Sequence, residues 1–258
     1  MILGFIGTGA ITEAMVTGLC DIGGFEERVL LTERTKERSS RLARAFSNIE
    51  VFNDNQTIVE QGECVVLAVM PEQLSDVLST LRFRNDHRVI SVVAGVSLEV
   101  LRTLVSPAEK VYRAIPMPPA ERGIGPIPIC PPDASVEALF DRIGTAVPVR
   151  NERQFQAFAA GSALMATFFE LVSSAARWLE KEGVPPKEAA LYATSVFHAL
   201  STMTTEVSAD RLQQMSTECL TAGGLNEQIL QELRQQSWFD AVNERLDRIM
   251  IRFDEPTT

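Results

Sequence analysis

Two short stretches hold residue types whose spacing suits chemistry. The first is Gly7-Thr8-Gly9-Ala10-Ile11, which closes the apolar run Ile2–Ile6 and passes straight into a helical pattern. Strand, glycine turn and helix in that order can hold a pyrophosphate on the helix N-terminus. Gly7 allows the tight turn, and Gly9 lets backbone approach phosphate without a Cβ in the way. The third position of this fingerprint is Thr12 rather than Gly or Ala. About twenty residues on, Glu33 is placed to take ribose hydroxyls, as in sites for NAD, while Arg34 and Thr35 resemble a site for a 2′-phosphate. A carboxylate about 4 Å from a phosphate charge costs about 1–4 kcal/mol, which Arg34 could offset. The balance leans slightly to NADP over NAD. The second stretch is Gly223-Gly224-Leu225-Asn226, a glycine pair before a helix, where free backbone N–H groups could bind a carboxylate.

These residues need a frame. From Met1 to about Arg150 short apolar runs alternate with helical segments: runs at 2–6, 28–32, 64–69, 89–93 and 110–115, helices at 10–22, 35–46, 72–81 and 97–105. Cys64-Val65-Val66-Leu67-Ala68-Val69 has no polar alternation, as expected of a strand covered on both faces. Repeated βα units wind into a parallel sheet with right-handed crossovers. The proline-rich segment 116–132 is expected to carry the chain over the sheet edge before a last α/β piece, 135–149. After Arg150 only helical patterns remain, at 151–181, 186–207, 209–219, 224–235 and 237–253. Gly183-Val184-Pro185-Pro186 marks a break, and Ser208 reads as an N-cap. The fold class is therefore α/β: a Rossmann-like parallel-sheet domain over 1–150, then an all-helical domain over 151–258. The stretch 159–176 is apolar nearly all round, which predicts burial in a core or between subunits, and so a homodimer through the helical half.

A hydrophobic fraction of 45% over 258 residues supports a sizeable core without staples. The net charge of −10, with no basic run, argues against a nucleic-acid partner. Cys20, Cys64, Cys130 and Cys219 show no metal or disulfide spacing and read as small core residues in a reducing compartment. No metal site is expected. With neither a signal pattern nor an apolar run of spanning length in view, the expected location is cytoplasmic, with no membrane partner.

Several blocks resemble one family, the Δ1-pyrroline-5-carboxylate reductases. Gly4-Phe5-Ile6-Gly7-Thr8-Gly9 is similar to that family's opening. Leu67-Ala68-Val69-Met70-Pro71-Glu72-Gln73 resembles its Ala-Val-Lys-Pro-Gln segment, and Val89–Ser97 its Ser-x-x-Ala-Gly-x-Ser segment. Arg113-Ala114-Ile115-Pro116 stands where the family has Arg-x-Met-Pro. The resemblance implies a Rossmann domain, a helical dimerisation domain and NAD(P)H as hydride donor to a cyclic imine acid. It adds Ala68, Val69, Met70, Pro71, Ala94 and Gly95 to the cofactor-binding set of Gly7, Thr8, Gly9, Ala10, Ile11, Glu33, Arg34 and Thr35. The departures fall on the substrate side. Met117-Pro118 replaces Asn-Thr, Ala160–Ala166 replaces Ser-Gly-Ser-Gly-Pro-Ala-Tyr, and Thr221–Asn226 replaces Ser-Pro-Gly-Gly-Thr-Thr. Ser162 is the one hydroxyl kept in its block. Substrate-binding candidates are then Ser162, Gly223, Gly224 and Leu225. Asn226, in the place of the second Thr, is the catalytic candidate as a hydrogen-bond donor to the imine nitrogen.

The function expected is NAD(P)H-dependent reduction of pyrroline-5-carboxylate to proline, or of a related imine. Two alternatives remain. A β-hydroxyacid-type dehydrogenase shares the layout but needs a general base, and residues 151–180 contain neither Lys nor His. A non-catalytic dinucleotide-binding relative is motivated by the loss of both threonines. His87 reads as a loop residue and His198 as a packed or interface residue. Glu170 reads as a carboxylate inside a buried helix, in need of a partner.

Overall fold

The structure is a computed structural model describing residues 1–33, 36–205 and 207–254. It divides into two compact units, Met1–Ala159 and Ala160–Asp254. Among the described residues the first carries eight strands and seven α-helices: β1 Leu3–Ile6, α1 Ala10–Thr17, β2 Val29–Thr32, α2 Lys36–Ala45, β3 Ile49–Phe52, α3 Asn55–Gln61, β4 Cys64–Leu67, α4 Pro71–Ser79, β5 Arg88–Ser91, α5 Leu98–Leu104, β6 Lys110–Ala114, β7 Pro126–Cys130, α6 Ala134–Phe140, β8 Thr145–Pro148 and α7 Glu152–Ser162. Helix α7 runs across the boundary between the units.

All eight strands form one sheet in the order β3-β2-β1-β4-β5-β6-β7-β8. Pairing is parallel from β3 to β6, antiparallel between β6 and β7, and parallel again between β7 and β8. The order reverses between β1 and β4, the place where open α/β sheets hold ligands beyond the strands' carboxyl ends. Both faces are dry. Phe5, Leu31, Val66 and Phe140 sit in the core on one side, Ile6, Leu30, Leu67 and Val89 in the core on the other. Helices start where side chains cap them: Asp54 before α3, Ser97 before α5 and Asp133 before α6 each accept from first-turn N–H groups.

The sheet is larger than the sequence pattern predicts. Strand β3 and helix α3 went unread because Ile49–Phe52 sits at the sheet's edge, where Glu50 interrupts the apolar run and only Ile49 is buried. The segment 116–132 does not simply pass over the edge, since it contributes β7. Its prolines lack N–H groups, yet the Pro128 carbonyl still accepts from the Ile115 N–H at 3.0 Å. The pairing of β6 with β7 is confined to Arg113 opposite Cys130 and Ala114 opposite Ile129.

The second unit carries α8 Leu164–Lys181, α9 Pro186–Met203, α10 Ala209–Glu218, α11 Leu225–Gln235 and α12 Trp238–Asp254. Ser208 caps α10 by accepting from the Arg211 N–H at 3.3 Å. Apart from Ala160, the stretch 159–176 is not buried within this chain: no residue of α8 is buried, and Phe169 is 67% exposed. Glu170 is accordingly a surface carboxylate paired with Arg177, His198 is exposed, and Cys219 lies outside any core. The sequence reading also missed that the helical stretch Glu152–Lys181 is long and apolar enough, by length and composition, to span a membrane. A subunit interface presents the same composition.

Candidate active site

The turn after β1 is pinned from three directions. The Gly7 N–H donates to Thr32 Oγ1 at 3.0 Å, Thr8 Oγ1 donates to the Thr32 carbonyl at 2.6 Å, and Thr12 Oγ1 donates to the Gly7 carbonyl at 2.7 Å. All three threonines are buried. The last bond accounts for the third fingerprint position, because neither Gly nor Ala could satisfy that carbonyl. Gly7 has φ +100°, and a Cβ there would collide with the Ala68 carbonyl. Gly9 precedes α1 with no side-chain cap, and a Cβ built on it would meet nothing within 4 Å. The helix N-terminus therefore opens onto free space, as phosphate binding requires.

Beside this turn lies a cleft of about 380 Å³ at the β1/β4 reversal. Gly7, Glu33 and Val69 line it, together with Ile6, Thr32, Asn53, Asn55, Gln73, Asp76 and Val77. The Oε1 atom of Gln73 is buried without a partner, an acceptor left for a ligand's donor. Ala68 continues β4, its N–H donating to the Ile6 carbonyl at 2.8 Å. Met70 and Pro71 open α4. Ala94 and Gly95 are exposed beyond the carboxyl end of β5. Thr8, Gly9, Ala10 and Ile11 form the turn and the first residues of α1. Arg34 and Thr35 lie outside the described residues. The expected cofactor residues that are described thus gather along one end of the sheet. Asn53, Asn55 and Asp76 were missed: the signal was Asp54-Asn55 behind the unrecognised β3. Gln73 stood inside a quoted block without a role.

At the same sheet end, Arg113 on β6 is buried and ion-paired with Glu152, and its guanidinium lies 4.4 Å from the centre of the Phe155 ring. Burial pulls the Arg113 pKa below its ordinary value, and the Glu152 carboxylate opposes that shift. Burial raises the neighbouring Cys130 thiol, as does the Glu152 charge. His87 does sit in a loop, but buried: its Nδ1 accepts from the Arg84 N–H at 3.0 Å, and Nε2 has no partner. Burial lowers its pKa, reinforced by the Arg84 charge.

The substrate-side candidates lie in the helical unit. Gly223, Gly224, Leu225 and Asn226 form one turn at the start of α11, and Ser162 closes α7. The Gly223 N–H donates to the Glu227 carboxylate at 2.6 Å, and the Gly224 N–H to the Thr221 carbonyl at 2.7 Å. Neither is free for a ligand, unlike the sequence expectation. The Asn226 amide donates to the Cys219 carbonyl at 3.1 Å.

Comparison with known proteins agrees with this geometry. Residues 2–95 match the model of a family described as NADP oxidoreductase, coenzyme F420-dependent. The pyrroline-5-carboxylate reductase of Haemophilus influenzae is 24% identical over 100% of this chain and 98% of its own length. The chain is a homologue of the pyrroline-5-carboxylate reductases. Solved reductases share its fold. That of Streptococcus pyogenes superposes with a TM-score of 0.82 at 22% identity, covering 98% of each chain. That of Plasmodium falciparum, with NADP bound, reaches 0.85 at 18% identity over 98% of this chain and 97% of its own. Against the reductase pattern the glycine turn is kept, whereas the blocks at 117–118, 160–166 and 221–226 have diverged.

Proposed function

We propose that this protein is an NAD(P)H-dependent oxidoreductase that reduces the C=N bond of a small cyclic imine, with pyrroline-5-carboxylate the first candidate. The open helix N-terminus over Gly9 at the strand-order reversal carries this reading, in a chain that aligns end to end with a pyrroline-5-carboxylate reductase. When bound, the nicotinamide dinucleotide supplies the hydride. The backbone at Gly7–Ile11 would hold its pyrophosphate, and Glu33, Asn53, Asn55, Gln73 and Asp76 its adenosine end. Ala68–Pro71 and Ala94–Gly95 would line the nicotinamide end. NADPH stands ahead of NADH because the P. falciparum relative carries NADP.

The protein's share of imine reduction is positioning and hydrogen bonding at the nitrogen. Asn226 would donate to that nitrogen, exchanging its bond to the Cys219 carbonyl for one to substrate. The N–H groups of Leu225 and Asn226, in the first turn of α11, have no intrahelical acceptor and can face a carboxylate. Ser162, at the end of α7, completes the proposed substrate side, while Gly223 and Gly224 serve it only by forming the turn that starts α11. Residues 1–150 then serve as the dinucleotide domain and 151–258 as the substrate and dimerisation domain. The exposed apolar residues of α8 and α9, Phe169, Trp178, Leu191 and Tyr192 among them, support a homodimer through this half. Four free cysteines fit a reducing, cytoplasmic setting.

Initial rates of NADPH and NADH oxidation with pyrroline-5-carboxylate and a panel of cyclic imines test the reading. Saturable turnover is expected, falling about tenfold or more in Asn226→Ala. Gly9→Ala is expected to fold normally and to bind the dinucleotide about tenfold more weakly, because its methyl fills the phosphate space. The engaged Asn226 amide favours one second reading, a dinucleotide-binding relative without turnover. Cofactor binding with no rate across the panel would select it.

A further inference from the structure

The segment 82–87 joins α4 to β5 and takes no part in the sheet, yet it is tied to both ends of α3. At the first turn of α3 the Arg82 N–H donates to Gln56 Oε1 at 2.9 Å. At the other end the Arg84 guanidinium donates to the carbonyls of Glu60 at 2.9 Å, Gly62 at 3.4 Å and Val59 at 3.5 Å. The last carbonyls of a helix have no partner within it, so this arginine caps α3 from outside.

Arg84 is itself aimed by a closed turn. The His87 N–H donates to the Arg84 carbonyl at 3.2 Å, and His87 Nδ1 accepts from the Arg84 N–H at 3.0 Å. His87 is 1% exposed, edge-on to the Phe83 ring, and its Nε2 has no partner. A buried ring nitrogen left unpaired costs stability, so an apolar residue would serve better if filling space were the only task. What the imidazole supplies is the acceptor that closes the turn.

Helix α3 needs these ties because its packing holds it at the middle. Its buried residues are Ile58 and Val59, and a Cβ on Gly4 of β1 would come within 2.6 Å of Ile58 Cγ2. That close approach sets the distance from sheet to helix, not the tilt of the helix about Ile58. Tilt matters at the other link of the chain, the cleft. Asn55 is the first residue of α3 and Asn53 stands two residues before it, and both line the cleft with Gly7 and Glu33. At about 1.5 Å per residue Asn55 lies about 4.5 Å from Ile58, so a tilt of about 10° moves it by about 0.8 Å. A hydrogen bond of about 2.9 Å does not survive that lengthening.

We propose that the segment 82–87 braces the cleft, with Arg84 and His87 as positioning residues that act through α3 on Asn53 and Asn55. The ligand part rests on the dinucleotide-binding reading; the brace itself does not.

The test uses Arg84→Met, His87→Asn and His87→Leu in the full-length protein. Asn offers a side-chain carbonyl to the Arg84 N–H, and Leu offers none. Four quantities are compared with the parent: melting temperature, NADPH affinity by fluorescence titration, kcat at saturating NADPH with pyrroline-5-carboxylate, and amide hydrogen exchange over 55–62. Arg84→Met and His87→Leu should raise the NADPH Kd about fivefold or more, speed exchange over 55–62, and leave kcat within about twofold. His87→Asn should keep Kd within about twofold of the parent, whatever its melting temperature. Should Arg84→Met fail to fold, Arg84→Lys, with fewer donors for the three carbonyls, is read by the same measurements. A folded Arg84 variant with Kd within about twofold of the parent overturns the positioning role, as does a kcat that falls in parallel with affinity. An affinity as weak in His87→Asn as in His87→Leu overturns the part given to the imidazole acceptor. Exchange over 55–62 equal to the parent overturns the brace. If the parent binds no dinucleotide, the proposed function fails, and exchange still decides the brace.

Discussion

The sheet unit and the helical unit solve the burial problem in opposite ways. In Met1–Ala159 the apolar residues of every interior strand are inside, and two packed cores sandwich the sheet. In Ala160–Asp254 the buried hydrophobic residues, among those described, are only Ala160, Ala189 and Ala193. Phe168, Phe169, Trp178, Leu191, Tyr192 and Leu200 are all exposed there. Both regions are written with apolar periodicity, but only one is closed by its own chain. Exposed apolar surface of this extent belongs at an interface, and a second copy of the chain is the proposed cover.

The largest expected effect bears on that contrast. The double substitution Phe169→Asp, Leu191→Asp should weaken self-association by about a hundredfold or more, measured by sedimentation over a range of concentrations. Unchanged association would place the interface on another face of the unit. In the sheet unit, Phe140 is fully buried, and Phe140→Ala should cost about 3–5 kcal/mol in urea unfolding, independent of protein concentration. Concentration dependence there would mean that the sheet unit also leans on a partner, which would blur the comparison.

The smallest effect is electrostatic and confined to the sheet unit. Partial burial raises the Asp133 pKa, but hydrogen bonds from Ser135, the Tyr112 hydroxyl at 2.7 Å and the Val136 N–H outweigh it and hold the group at about 2. Its folded pKa is therefore below its unfolded value of about 3.9. The stabilisation is present above pH 3.9 and is lost as the pH falls through about 2. Discounted for solvent screening, it amounts to about 1 kcal/mol. Asp133→Asn should remove this component of acid sensitivity in urea titrations between pH 5 and 2; an unaltered pH profile would show that other carboxylates dominate.

Legibility in the sequence followed the strength of local signals. The glycine turn at Gly7–Gly9, the unbroken run Cys64–Leu67 and the cap at Ser208 could all be read directly, since each is fixed by neighbours in the chain. The edge strand β3 could not, since Glu50 breaks its apolar run and only Ile49 is buried, and neither could β7, whose prolines argue against a strand until β6 is seen to pair with only two of its residues. With β3 went Asn53 and Asn55, which matter to the cleft only because they follow that strand. At α11 the glycine pair was legible as a helix start. That Glu227 and Thr221 consume its N–H groups was not, because either glycine could have adopted another backbone conformation.

By itself the sequence determined the α/β order of elements, the glycine turn before α1 and the apolar load of the helical half, since periodicity and glycine placement act over a few residues. Only the tertiary structure decided which residues meet. It placed Thr12 under the Gly7 carbonyl, Gln73 and Asp76 in the cleft, and Arg113 against Glu152 and Phe155. It also showed that α8 leaves its apolar side uncovered within the chain. Those are outcomes of strand order and register, which bring together residues far apart in the chain and which no local pattern encodes.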